Sequence, residues 1–237
     1  MNPYQKLLER KRKWTPVQTT AGTCKQGAEE AIFRALALRH MELPVGDFIT
    51  DALNSEVPTL AREILVSNVK DEENHDIALG YIANAYGVDP KAEKEALALR
   101  AAWEANSDHT ILKAMVAERA IFFVLLPFLR ANGDAGMRTV SADISRDEQI
   151  HVGCNSLVCK ELGLTYSPSL DKLRKATINW VMQPLGSNTN KYLDKKFWLD
   201  ASDRLMYEGK APQFNFTRSA RMPAFFEHSN VNLPQYA

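Results

Sequence analysis

Apolar residues recur along this chain at helical spacing, and the alternation expected of strands is scarce. Residues 25–41 are rich in Ala, Leu, Glu and Arg, with Ile32, Leu36 and Leu43 on a common helical stripe. Pro44 and Gly46 disturb the stripe, and residues 48–53 continue it beyond a kink. Asn54, Ser55 and Glu56 read as a turn, and Pro58 sits where a first-turn proline would sit. A long helix then runs to about Tyr86, and Gly87 ends it. Asp89-Pro90 opens a third helical region with a break near residues 106–108, where Ser107 or Asp108 is the expected cap. The region runs on through the very apolar stretch 114–129. A turn follows at 131–134, and another long helix spans roughly 136–162, stopped by Gly163. Two more helices are expected near 170–181 and 190–207. From about Gly209 the chain turns rich in Pro, Asn, Ser and aromatics, as an extended tail does. The pattern predicts an all-α helical bundle: an N-terminal arm at 1–24, a helical domain at 25–209 and a tail at 210–237.

Composition narrows the function classes. Lys plus Arg and Asp plus Glu number 29 each, so the formal net charge is zero. Such a balance gives no electrostatic reason to expect nucleic acid or an anionic membrane as partner. Three cysteines, Cys24, Cys154 and Cys159, with no CxxC, argue against a disulfide framework or a zinc ribbon and suit a reducing cytoplasm. The longest apolar run, 120–129, is about ten residues, against roughly 20 for a membrane span. The first residues are charged and lead into no apolar segment, unlike a signal peptide. The expectation is a soluble, cytoplasmic protein.

The chemistry lies in two repeated motifs. Glu72-x-x-His75 and Glu148-x-x-His151 each place a carboxylate and an imidazole three apart, on one face of a long helix. A single such motif is weak evidence, because a solvated charged face gives the same spacing. Two in mid-helix positions point to a four-helix carboxylate site, which also needs one Glu from each of two partner helices. Glu118 stands alone in an apolar helix, where an unpaired carboxylate is costly and metal coordination would resolve the cost. The bland alternative is a pairing with Arg119 or Lys113. Glu118 precedes Glu148 by 30 positions, and 30 positions before Glu72 stands Glu42. Glu42 is therefore the expected sixth ligand, with Glu29 and Glu30 as runners-up. Four carboxylates balance two divalent ions. Mixed oxygen and nitrogen donors without thiolates suit iron or manganese rather than structural zinc. Asp71 and Asp76 flank the first motif as solvated or supporting groups.

At Ser145-Arg146-Asp147-Glu148-Gln149-Ile150-His151 the chain resembles the small, radical-generating subunit of class I ribonucleotide reductase, of the ferritin-like superfamily. The segment 118–123 is similar to the family's preceding Glu-containing helix. Trp14-Thr15-Pro16 looks like its Trp-x-Pro segment, and 222–227 with the end at Tyr236 looks like its C-terminus. The resemblance covers most of the chain. It is strongest from Glu118 to His151, fair at Glu72–His75 and loose at both ends. It implies two metal ions (Fe/Fe, Mn/Fe or Mn/Mn) held by Glu42, Glu72, His75, Glu118, Glu148 and His151. It implies a homodimer, activation by O2 or superoxide, and a large catalytic subunit as partner. Asp147, Trp14 and Tyr236 would relay the oxidising equivalent to that partner for the reduction of ribonucleotides. The chain is short for the family, and the 118-to-148 spacing is tighter by about a turn. The family's radical tyrosine lies four residues after the first motif's histidine, where this chain has Leu79. Tyr81 is too far around the helix to replace it. The departure implies storage on the metals, manganese–iron or dimanganese, rather than on a tyrosine. A stand-alone di-iron oxidase or oxygenase, or a metal store, would use similar ligands.

Overall fold

The computed structural model describes residues 2–55 and 57–210. Helices dominate: α1 (Pro3–Leu8), α2 (Glu29–Ala37), α3 (Glu42–Leu53), α4 (Arg62–Tyr86), α5 (Pro90–Ala105), α6 (Thr110–Ala117), α7 (Phe123–Asn132), α8 (Ala135–Glu161), α9 (Pro168–Met182) and α10 (Lys195–Glu208). No strand occurs among the described residues, as the sequence pattern predicts. The expected tail, with its 222–227 segment and Tyr236, falls outside the described residues from 211 onward.

Local chemistry sets most of the boundaries. Asp89 caps α5 by accepting from Lys91 N, with Pro90 at the first helical position. Ser167 and Pro168 repeat the device on α9. Asp134 caps α8 through Met137 N, and its second oxygen accepts from Gly22 N, which ties down the N-terminal arm. At the far end of α8, Gly163 takes φ 65°, with Gly163 N bonded to Lys160 O and Leu164 N to Cys159 O. That pair of bonds is the Schellman closure, and the positive φ is why glycine stands there.

Three local details differ from the sequence pattern. The expected kink at Pro44 is instead a 3-10 turn at Leu38–Met41, before the proline. Pro44 then falls in the first turn of α3, where its missing N–H costs nothing. The cap after the α5 break is neither Ser107 nor Asp108 but His109, whose ring accepts from Ile111 N. Asp108 faces the other way and binds Ser167 N and Oγ. The apolar stretch is also not one α-helix: residues Glu118–Phe122 form a π turn between α6 and α7.

The bundle core is α3, α4, α8 and the composite helix of α6, the π turn and α7. Around this ring, α3 packs on α4, α4 on α8, α8 on α6 and α7, and α6 on α3. A short link joins α3 to α4 and another joins α7 to α8, while the crossing between the two hairpins runs through α5. One long crossover between two hairpins is the ferritin-type way to connect a four-helix bundle. Helices α9 and α10 pack together outside this ring, and α1 lies against α4 and α8. Apolar side chains fill the interior, among them Ile49, Leu65, Phe128 and Ile144. No described helix is long and apolar enough to cross a membrane.

Candidate metal centre

In the middle of this apolar interior the structure brings together Glu42, Glu72, His75, Glu118, Glu148 and His151, all buried. Together they draw on all four parts of the ring. Glu42 is the first residue of α3, where the positive end of the helix dipole favours a carboxylate. The 3-10 turn before it is pinned to α5: Arg39 holds both oxygens of Glu93 at 2.6 and 2.8 Å, and His40 adds a contact of 2.7 Å. Glu72 and His75 come from α4, Glu148 and His151 from α8. Glu118 opens the π turn, a feature frequent at functional sites. Gly46, one turn beyond Glu42, lies over Glu72: a β-carbon there would make ordinary van der Waals contact with Glu72 Cβ, at 3.5 Å.

The six form two overlapping donor groups. Glu42, Glu72, His75 and Glu148 offer ligand atoms within 4.8 Å of one another, and so do Glu72, Glu118 and His151. Glu72 belongs to both, with Oε2 3.3 Å from His75 Nδ1 and Oε1 2.8 Å from His151 Nδ1. Glu148 also reaches both sides, its Oε1 lying 3.4 Å from His75 Nδ1 and 4.0 Å from His151 Nδ1. Glu42 closes one side at 3.6 Å from His75, and Glu118 the other at 3.7 Å from His151. The imidazole centroids are 5.6 Å apart.

A test of fit comes from hydrogen bonding. Both oxygens of Glu42, Glu72 and Glu148, Oε1 of Glu118, and Nδ1 of both histidines are buried without a well-aligned hydrogen bond, the 2.8 Å approach of Glu72 Oε1 to His151 Nδ1 included. Buried polar atoms are normally satisfied, and orphaned ones need a reason. Nine such atoms converging on one place fit metal coordination, and this cluster can hold a metal ion.

Each histidine turns its other nitrogen to an aspartate. His151 Nε2 lies 2.9 Å from Asp71 Oδ2, and His75 Nε2 lies 3.4 Å from Asp147 Oδ2. The pairing crosses the bundle: Asp71 shares α4 with His75, and Asp147 shares α8 with His151. An imidazole that donates from Nε2 presents a lone pair at Nδ1, which is what coordination requires. The N-terminal arm completes both pairs. Lys11 binds Asp71 and, at 2.8 Å, Asn68. Trp14 Nε1 donates to Asp147 Oδ2 at 2.5 Å, and Arg12 Nε lies 3.7 Å from Asp147 Oδ1. Asn155 Nδ2 donates to Glu118 Oε2 at 2.6 Å, leaving Oε1 for the cluster.

Without an ion the cluster is electrostatically conflicted. Burial, helped by neighbouring carboxylates, pushes Glu42, Glu118 and Glu148 above the usual glutamate range. Burial opposes ionisation of Glu72 too, but the two imidazoles outweigh it and the pKa falls. Burial favours neutral histidines, yet the surrounding carboxylates win. His75 is raised well above its ordinary value, and His151 to about 10. For Asp71, burial is outweighed by His151 and Lys11, and its pKa is lowered.

The other candidates fall elsewhere. Glu29 and Glu30 are exposed, the latter paired with Arg34. Arg119 and Lys113 do not meet Glu118. Arg119 binds the Leu205 carbonyl, and Lys113 caps α5 through three carbonyls. Glu73 is exposed and Asp76 half-buried, outside both donor groups. Leu79 is buried and Tyr81 only partly so. The pairing of Asp71 with His151 is what sequence reasoning left unresolved. Its one signal is that Asp precedes Glu in both motifs. Compared with known proteins, the chain matches no family model and no curated protein sequence.

Proposed function

We propose that this chain is the small subunit of a class I ribonucleotide reductase, holding two divalent ions between Glu42, Glu72, His75, Glu118, Glu148 and His151. The observation that carries the reading is the line His75–Asp147–Trp14, which leads from the cluster to a half-buried indole in the N-terminal arm. A metal store has no use for such a line. Iron or manganese, activated by O2 or superoxide, would supply the oxidising equivalent and, with Leu79 at the tyrosine position, would also retain it.

The chain's own residues do the rest. The buried carboxylates and imidazoles bind and separate the ions, and the apolar walls keep water out. Trp14 can give up an electron toward His75 while its indole proton moves to Asp147 Oδ2, so no net charge is stranded in the arm. The hole passes onward through Tyr236 to a cysteine of the large subunit, where the ribonucleotide binds and is reduced. The protein acts as a cytoplasmic homodimer. A stand-alone oxidase would want a substrate cavity at the ions. Two cavities among the described residues, of about 430 and 560 Å³, lie against α8 and are lined by none of the six residues.

The test pairs the metal-loaded chain with a large subunit and a ribonucleoside diphosphate. Deoxyribonucleotide formation that disappears on truncation after Phe226, with metal content intact, supports the reading. Activity on a small molecule without any partner would favour the oxidase. A tyrosyl-radical signal on a di-iron centre would sink the proposed storage on the metals.

A further inference from the structure

Outside the centre, α10 grips the π turn that carries Glu118, and it does so from both directions. Ser202 Oγ donates to the Ala120 carbonyl at 2.6 Å, and Arg119 Nε donates to the Leu205 carbonyl at 2.8 Å. Ser202 and Leu205 are three apart on α10 and share a face. The sense of the Ser202 bond is fixed by a third residue. Arg174 Nη1 reaches the same hydroxyl oxygen at 2.6 Å. A guanidinium only donates, so Ser202 accepts from it and its single proton goes to Ala120. Arg174 is fully buried and is itself held by Asp171 and Asp203, each at 2.7 Å.

The contact falls on a place that needs it. A π turn shifts the helical hydrogen-bond register by one residue, and Ser202 adds a side-chain donor to one of its buried carbonyls. Ala120 and Ser202 are both buried, so water is not at hand. The two bonded residues of the turn are the next neighbours of Glu118. Asn155 orients the Glu118 carboxylate, but nothing in that bond fixes the backbone beneath it. The chain leaves α10 at Gly209, four residues after Leu205, and Gly209 packs against the Arg119 guanidinium.

We propose that Ser202, Arg119 and Arg174 are positioning residues for Glu118, so that the end of α10 sets the metal affinity of the Glu118–His151 side of the centre. The inference rests on the reading of the cluster as a two-metal centre. Its consequence is that movement of α10, from which the C-terminal segment departs, is felt at one ion and not at the other.

The experiment is Mn(II) titration of the full chain, read by electron paramagnetic resonance, for wild type, Ser202→Ala, Ser202→Thr and Arg119→Met. A Leu199→Ala control removes apolar packing from α10 and leaves every hydrogen-bonding group of the clasp in place. Wild type and Leu199→Ala should bind two ions with a coupled two-metal signal. Ser202→Ala and Arg119→Met should bind the first ion normally and the second on the order of 10-fold more weakly, as loss of an outer contact does. The threonine variant, which keeps the hydroxyl, should restore the second ion. Unchanged affinity in both Ser202→Ala and Arg119→Met would overturn the proposal, as would an equal loss in Leu199→Ala. A wild-type chain that takes up no second ion overturns the two-metal reading, and the clasp's role with it. Arg119→Met carries the test alone if Ser202→Ala does not fold.

Discussion

Asp71 on α4 orients His151 on α8, across the bundle and 2.9 Å away, while Asp147 on α8 returns the arrangement to His75 on α4. Each helix thus supplies both a ligand pair and the group that aims the opposite helix's histidine. The expected outcome of Asp71→Asn is a loss of roughly 10–100-fold in affinity for one of two ions, because the amide can donate where an acceptor is needed. Metal titration checks it, and wild-type affinity in the variant would refute the role.

The metal-free protein should behave oppositely to the loaded one as pH changes. Glu42, Glu118, Glu148, His75 and His151 all have raised pKa values, so the folded state holds more protons than the unfolded state. Their contribution is therefore lost as pH rises, from 4.5 upward for the glutamates and between 6.5 and about 10 for His151. Glu72 and Asp71, with lowered values, act in the other sense and lose their contribution as pH falls below the usual carboxylate range. The cluster's own contribution is then greatest within the usual carboxylate range and falls as pH rises above it. Metal binding displaces the extra protons and tightens as pH rises. The gap in melting temperature between loaded and metal-free protein should widen from about pH 6 to about pH 8. A constant or shrinking gap would contradict the protonation pattern.

Replacing a ligand by an apolar residue should stabilise the empty protein. Both oxygens of Glu42 are buried without partners. Glu42→Met removes that conflict at little change in volume. At about pH 8 the metal-free variant should gain about 1–2 kcal/mol in denaturant unfolding while losing the ion on the His75 side. A destabilised metal-free variant would mean that Glu42 has a structural role in the bundle.

Trp14→Phe keeps the ring that stacks on His75 at 6.2 Å but loses the bond to Asp147. Metal content should stay within error of wild type, while the melting temperature falls by a few degrees as buried Asp147 loses a donor. Under the proposed function, reductase turnover with the large subunit should fall by at least about 100-fold, since a phenyl ring has no N–H proton to pass to Asp147 and yields no electron where an indole does. Turnover near wild type would remove Trp14 from the path.

Much of this was legible in the chain because the relevant patterns are local. Helical stripes and their Asp, Ser, Pro and Gly punctuation gave the elements, and Glu-x-x-His spacing named four of the cluster residues. Glu118 stood out as a lone carboxylate in an apolar helix, and Glu42 followed from a repeat, since a hairpin of equal arms returns the chain to the same height. Other features depend on which surfaces meet. That Asp71 serves His151 rather than its own helix depends on α4 packing against α8. The π turn at Glu118 lies in a run so uniformly apolar that periodicity carries no register there. Lys11 lies in an arm without helical pattern, and only its place in the fold reveals it.

The arm that carries Lys11 also carries Trp14, and the two touch opposite ends of the centre through matching aspartates. One is an indole, which can be oxidised. The other is an ammonium, already charged and with no electrons to lend. Under the proposed function, a centre flanked this way would conduct on the His75 side and insulate on the His151 side, so the direction of charge flow would be written into three residues' distance along the arm.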